Sequence, residues 1–244
     1  MKVVVLGSGS KGNCTYLETK NTRVLIDAGL SVLQIRSRLR NQGIEFSNLD
    51  AVFITHEHTD HIQGLKYIKD GQLFLASQGT LSNENYKELT PFKSIKLYDV
   101  EITPLPTSHD AYLPLGYILK YNNQKLVYIT DTGFIDLKLI NECKNPTTLI
   151  LESNHDKKML LNSRRSLKLK KRILSDYGHL SNEDSALYAS KIIGENTKEI
   201  ILAHLSEECN TPELALSAYK NISKRNILVR CASQNEILKG YYEN

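Results

Sequence analysis

Seven consecutive residues constrain this chain more than any others. Thr55-His56-Glu57-His58-Thr59-Asp60-His61 follows directly on the apolar run Ala51–Ile54. Three imidazoles and a carboxylate at a strand end are too polar to share a core. They read as metal ligands, with His the commonest donor and a carboxylate supplying a harder one. In an extended segment side chains repeat with period two, so His56 and His58 point the same way. Asp60 and His61 then open a helix and turn toward a neighbouring point, an arrangement that suggests two adjacent metals. The alternative, a solvated polar loop, leaves the density of imidazoles unexplained.

The rest of the chain supplies the frame. Apolar, mostly β-branched runs bounded by Gly, Asn or Asp predict strands at Lys2–Leu6, Thr15–Thr19, Val24–Ile26, Ala51–Ile54, Leu73–Ala76, Gly116–Leu119, Leu126–Ile129 and Thr148–Leu151. Lys20-Asn21 and Asn122-Asn123 are hairpin turns. Helices start at Ser31, a capping box with Gln34 that puts Val32, Ile35 and Leu39 on one face, and at Ser181 with Asp184. Thr211-Pro212-Glu213 starts another, with Pro at the first helical position. Strands alternating with helices predict an α/β fold. No repeat or low-complexity linker interrupts the pattern, so residues 1–244 read as one domain.

Composition narrows the class. Hydrophobic residues make up 41% and charged residues 24%, which excludes a disordered chain. No signal-peptide core and no run near the roughly 20 apolar residues of a membrane span occurs, so a cytoplasmic protein away from membranes is expected. Cys14, Cys143, Cys209 and Cys231 form no CxxC pair and read as reduced thiols. The +4 net charge hides an asymmetry. Residues 157–172 hold eight basic residues and no acidic one, and the chain carries −4 without them.

The HxHxDH string after a strand resembles the second motif of the metallo-β-lactamase superfamily. Its other motifs follow in order: Asp27 after Val24–Ile26, His109 in Thr107-Ser108-His109-Asp110, Asp131 in Thr130-Asp131-Thr132-Gly133, and His204 in Leu202-Ala203-His204-Leu205. The resemblance implies an αβ/βα four-layer sandwich of two packed mixed sheets, with two divalent metal ions (Zn, Mn or Fe) at one edge. It assigns His56, His58 and His109 to one metal, Asp60, His61 and His204 to the other, and Asp131 to a bridge. It gives Asp27 a supporting role behind the ligands. His155 matches no ligand position.

Several stretches are similar to the bacterial YycJ/WalJ-type hydrolases, an exonuclease-like branch: Gly7–Asn13, Ile26–Ser31, Glu152–Asp156, Arg172–Asn182 and His204–Ser206. Two positions depart from it, Asn162–Ser166, where an aromatic-Pro pair is expected, and Cys209, where Asn is usual. In related phosphodiesterases a His at the place of His179 faces the scissile phosphate and protonates the leaving oxygen. Glu152 is placed like the carboxylate that orients it. The loop Gly7–Gly12 has neither dinucleotide nor P-loop spacing and reads as a tight turn beside the metal edge.

The expected function is therefore a dinuclear metal phosphodiesterase, a DNA exonuclease with a hydroxide held between the metals and Asp60 helping to orient it. Lys157, Lys158, Arg164, Arg165, Lys168, Lys171 and Arg172 are the expected nucleic-acid contacts. The same-fold alternative is a small-molecule hydrolase: a cyclic phosphodiesterase, a glyoxalase-II-type thioesterase or a lactonase. A non-catalytic regulatory protein is the different-class alternative, and the intact ligand set argues against it.

Overall fold

The computed structural model describes residues 1–68, 73–81, 86–223 and 226–240. Its first sheet contains β1 (Lys2–Gly7), β2 (Cys14–Glu18), β3 (Arg23–Ile26), β4 (Ala51–Phe53), β5 (Leu73–Ser77) and β6 (Tyr86–Leu89). The second contains β7 (Ile95–Leu97), β8 (Val100–Pro106), β9 (Leu115–Tyr121), β10 (Gln124–Ile129), β11 (Thr148–Glu152), β12 (Glu199–Ala203) and β13 (Leu228–Cys231). The chain then returns to add β14 (Leu238–Lys239) to the first sheet, in the order β14-β1-β2-β3-β4-β5-β6. The second sheet runs β13-β12-β11-β10-β9-β8-β7. Both are mixed. The β2–β3 and β9–β10 hairpins are antiparallel, whereas β3–β4, β10–β11 and β11–β12 are parallel.

Strand chemistry explains the layering. In β1, Val3 and Val5 face the second sheet, while Val4 and Leu6 face outward, and all four are buried. Both faces of the central strands are covered, so they read as continuous apolar runs rather than alternating ones. Between the sheets, Val3, Val5, Phe53, Tyr117, Tyr128 and Ile150 share one core. The helix α1 (Val32–Arg40) lays Ile35 and Leu39 on the outer face of the first sheet, against Val4, Leu25 and Val52. Of the next helices, α2 (Thr59–Ile62) carries part of the polar motif, and α3 (Leu137–Cys143) covers the second sheet. The basic stretch folds as α4 (Lys157–Asn162) and α5 (Leu167–Ile173). With α3, the helices α6 (Asn182–Ile192) and α7 (Pro212–Ala218) complete the fourth layer. The short α8 (Lys220–Ser223) follows.

The local signals act as read. Ser31 and Gln34 form a reciprocal capping box, Ser181 caps α6, and Thr211 caps α7 with Pro at its start. Asn122 takes the left-handed backbone (φ 49°) that the β9–β10 hairpin needs. The strand β8 goes unread in the sequence because Pro104 and Pro106 each lack an N–H for the ladder. Strands β6, β7, β12, β13 and β14 were likewise not expected. All four cysteines are free thiols, three of them buried. Among the described residues, no helix is long and apolar enough to cross a membrane.

Candidate active site

The parallel strands of both sheets end at one edge of the sandwich, and the polar residues sit on the turns just beyond. Asp27 follows β3, Thr55–His58 follow β4, and Asp131 follows β10. Glu152 closes β11, and His204 follows β12. Asp27, Asp131 and His204 all adopt left-handed backbone, with φ of 60°, 53° and 54°. Non-glycine residues there carry strain that the surrounding structure must hold, and such positions gather at functional sites. Close packing adds a second constraint. A Cβ on Gly29 would lie 1.6 Å from the Asp60 carbonyl oxygen, so only glycine lets these two segments meet.

One donor group is His56, His58 and His109, another is Asp60, His61 and His204, and a third joins His56 and His61 to Asp131. The fourth contains Asp131, Glu152, His179 and His204. The edge therefore gathers residues 56 to 204 into one continuous set. Asp60 Oδ2 lies 3.5 Å from His61 Nε2 and 3.6 Å from His204 Nε2, and Asp131 Oδ2 lies 3.2 Å from His61 Nε2. Tetrahedral ligands about 2.0–2.1 Å from a zinc-sized ion sit roughly 3.3 Å apart, so these separations fit a cation among them.

The hydrogen bonds behind the donors point the same way. His61 Nδ1 donates to Asp27 Oδ2 (2.8 Å), and Asp27 also accepts from the Thr55 N–H (2.8 Å). His109 Nδ1 donates to the Gly178 carbonyl (3.1 Å) and His204 Nδ1 to Glu152 Oε1 (2.9 Å). His56 Nδ1 lies 3.0 Å from Thr55 Oγ1. These four rings are thus held at Nδ1, which fixes their orientation and turns Nε2 of His56, His61 and His204 toward the other donors. The decisive feature is what remains unpaired. His56 Nε2, His204 Nε2 and Asp131 Oδ2 are buried without a hydrogen-bond partner. Burying such atoms is costly unless something polar meets them, and divalent cations held by the donor groups these atoms belong to would satisfy them.

The donors act strongly on one another: against the effect of burial, Asp27 and Asp131 raise His61 well above the ordinary imidazole range, and Asp131, Asp60 and Glu152 raise His204 to about 10. Burial would raise the Asp60 carboxyl, but His204 and His61 hold it far below the ordinary carboxylate range. Burial would likewise raise Glu152, yet His179 and His204 hold it at about 2. Burial pushes His56 well down, keeping it neutral as a ligand must be.

His179 lies on the loop between α5 and α6, with Nδ1 2.7 Å from Glu152 Oε1. Glu152 is fully buried and spends its second oxygen on the backbone N–H groups of Thr132 (3.0 Å) and Leu180 (3.1 Å). One carboxylate therefore orients both His179 and His204.

His58, Asp60, His109, Asp131, His179 and His204 line a cleft of about 430 Å³. Of the seven basic residues expected at a substrate surface, Arg165 and Arg172 line it, with Leu169 and Ile173 between them. Arg165 also reaches Glu208 (3.0 Å), and Arg172 reaches Asp110 (2.8 Å). The other five lie away from the cleft. Lys157 pairs with Asp184 (2.9 Å), while Lys158, Arg164, Lys168 and Lys171 project from α4, α5 and their link as exposed side chains. The two short helices turn different faces inward, so a single basic stripe does not form. Cys209 packs with Leu160 and Ile173 and closes the small core under these helices.

Sequence reasoning gave no role to Asn13. Its Oδ1 accepts from the Gly9 N–H (2.9 Å), which turns Nδ2 toward His61 Nε2 (3.1 Å) and Asp60 Oδ2 (3.3 Å). The loop Gly7–Gly12 is the turn that delivers it, and the signal available was the Asn closing that glycine-rich string. His155 is buried with neither ring nitrogen hydrogen-bonded, and it falls in none of the donor groups.

The β-lactamase superfamily domain matches residues 22–205, most of the chain and every donor strand. The chain belongs to that superfamily. Within it, exodeoxyribonuclease WalJ of Streptococcus pneumoniae is 38% identical over 228 residues, covering 88% of this chain and 85% of that protein. Exodeoxyribonuclease YycJ of Bacillus anthracis is 37% identical over 223 residues, covering 86% and 84%. This superfamily member therefore falls in the WalJ/YycJ branch. Among solved structures, the metallo-β-lactamase fold protein YhfI of Bacillus subtilis superposes with a TM-score of 0.76 at 19% identity, over 98% of this chain and 99% of that one. That likeness establishes the shared superfamily fold.

Proposed function

We propose that residues 1–244 form one hydrolase domain, a dinuclear divalent-metal phosphodiesterase that acts on DNA as an exonuclease. The observation that carries this reading is the company His179 keeps. It is anchored at Nδ1 by Glu152, and it opens on the same cleft as the donor clusters and two arginines. A held proton donor beside two arginines suits a phosphodiester, whose departing alkoxide takes up a proton and whose phosphate pairs with guanidinium groups. Similarity to two proteins named exodeoxyribonucleases supports DNA as the polymer.

In this reading His56, His58 and His109 would hold one cation and Asp60, His61 and His204 the other, with Asp131 shared between them, and Zn, Mn and Fe are all compatible with such donors. Bound there, divalent cations supply an activated water and take up charge on the phosphoryl oxygens. Asp27 fixes His61, and Asn13 braces Asp60 from the other side. Arg165 and Arg172 exchange their carboxylate partners for substrate phosphates. His179 gives its proton to the departing sugar oxygen while Glu152 holds the ring in place.

Digestion of end-labelled single- and double-stranded DNA and RNA, with Mn and Zn supplied separately, tests the reading. Asp131→Ala should lose metal and abolish cleavage. Elemental analysis showing two retained metals with normal turnover would refute the dinuclear assignment. Hydrolysis of small diesters with no action on any oligonucleotide would move the small-molecule reading ahead.

A further inference from the structure

Beside the metal cleft lies a second cavity of about 440 Å³, and its chemistry is opposite. Its walls include Pro106, Leu113, Pro114, Phe134, Leu139 and Tyr177. Among its lining residues are no Lys or Arg, and Asp136 contributes a carboxylate, so a second phosphate is unwelcome there. Tyr177 is 65% exposed and Phe134 45%. Phe134 is braced edge-on by Tyr188, with ring centroids 6.4 Å apart.

The two cavities share a wall, His109, and they share the loops that build it. The loop after β8 carries His109 and Leu113, the loop after β10 carries Asp131 and Phe134, and the loop before α6 carries Tyr177 and His179. These loops are tied together. Gly133 N–H donates to the Ser108 carbonyl (2.9 Å), Ser108 N–H to Thr132 Oγ1 (3.1 Å), and His109 Nδ1 to the Gly178 carbonyl (3.1 Å). Each loop presents a donor or acid to the phosphate side and an apolar group to the other. Whatever sits in the apolar cavity is thereby positioned relative to a phosphate at the metals.

We propose that this cavity receives the base of the nucleotide adjoining the scissile phosphate, so that the enzyme requires an unpaired end. The proposal rests on the phosphodiesterase reading and extends it to strandedness. A nucleobase is flat, uncharged and apolar on both faces, with polar edges that Thr107 and Ser108 can meet. Base–aromatic stacking tolerates every sequence, as a nuclease needs, and a base held in a duplex cannot enter a pocket of this kind.

The test compares single-stranded oligonucleotides that are intact with ones carrying an abasic residue at the 5′- or 3′-terminal nucleotide. In the wild-type enzyme, removing the base from the cleaved end should lower kcat/KM by about 5- to 150-fold, the range of one lost stack. The ratio between intact and abasic substrates should collapse toward one in Tyr177→Ala/Phe134→Ala and persist in Tyr177→Phe. Blunt duplexes should be cut more slowly than single strands or frayed ends. Equal wild-type kcat/KM on intact and abasic strands would overturn the proposal while leaving the nuclease reading standing, and that arm needs no variant. Failure to cut any oligonucleotide or nitrophenyl phosphodiester would overturn both.

Discussion

Replacing Glu152 by Gln keeps the shape of the side chain and removes one negative charge at a fully buried position. Both oxygens of Glu152 are fully committed, Oε1 to His179 and His204 and Oε2 to the Thr132 and Leu180 N–H groups. An amide can satisfy one side only, because its NH₂ group cannot accept. The depression of this carboxyl from 4.5 to about 2 gives the scale. At about 1.4 kcal/mol per pKa unit, the interactions favouring the ionised form, chiefly with the two histidines, exceed the cost of burial by roughly 3 kcal/mol. The share on His204 should weaken metal affinity about 10- to 100-fold, as losing a partner behind a ligand does. The share on His179 should lower kcat on oligonucleotides about 10²-fold even at saturating metal. A nitrophenyl phosphodiester, whose leaving group needs little protonation, should lose much less. The assay is kcat on both substrates across a metal titration, with metal content measured in parallel. Equal losses on the two substrates at saturating metal would refute the assignment of His179 as the acid, and unchanged kinetics would refute the role of Glu152.

Two further outcomes follow from particular residues. Reversing Arg165 and Arg172, the two basic residues that line the cleft, to Glu should collapse oligonucleotide binding and flatten the slope of log affinity against log salt by roughly 1.4, at about 0.7 per lost contact on a single strand. An unchanged slope would leave both arginines as partners of Glu208 and Asp110 only. Burial holds His155 at about 4 against an ordinary 6.5, with Glu152 and Asp184 opposing and His179 and Lys157 reinforcing the effect. A His depressed in the fold stays neutral while the unfolded chain takes up a proton, so its contribution is intact above pH 6.5 and is lost as pH falls toward 4. By linkage the loss is roughly 3 kcal/mol, and His155→Gln should remove it. Denaturant titrations of wild type and variant from pH 7 to pH 4 that run parallel would contradict this.

The sequence by itself determined the elements whose signals are local. Continuous apolar runs mark strands covered on both faces, and the Ser31, Ser181 and Thr211 caps fix helix starts, because each depends on neighbours within a few residues. The HxHxDH string was legible as metal chemistry for the same reason, since its residue types alone exclude a core role, whereas Asp131 and His204 were legible only through the resemblance to the superfamily's ordered motifs. Strand β8 escaped because its prolines contradict the propensity that tertiary packing then overrides.

Only the tertiary structure decided what meets across the chain. Glu152 serves two histidines that lie 27 and 52 residues away. Asn13 reaches His61 across 48 residues, through a turn that only glycine at positions 12 and 29 allows to close. The basic stretch illustrates the limit. Its composition announced a charged surface, but the break between α4 and α5 chose Arg165 and Arg172 for the cleft and sent their neighbours elsewhere. The apolar cavity had no trace in the sequence, since its walls come from loops between residues 91 and 177. Side chains far apart in sequence become neighbours only when the two sheets pack and bring their strand ends to one edge. That packing is a property of the whole buried core, which no local pattern encodes.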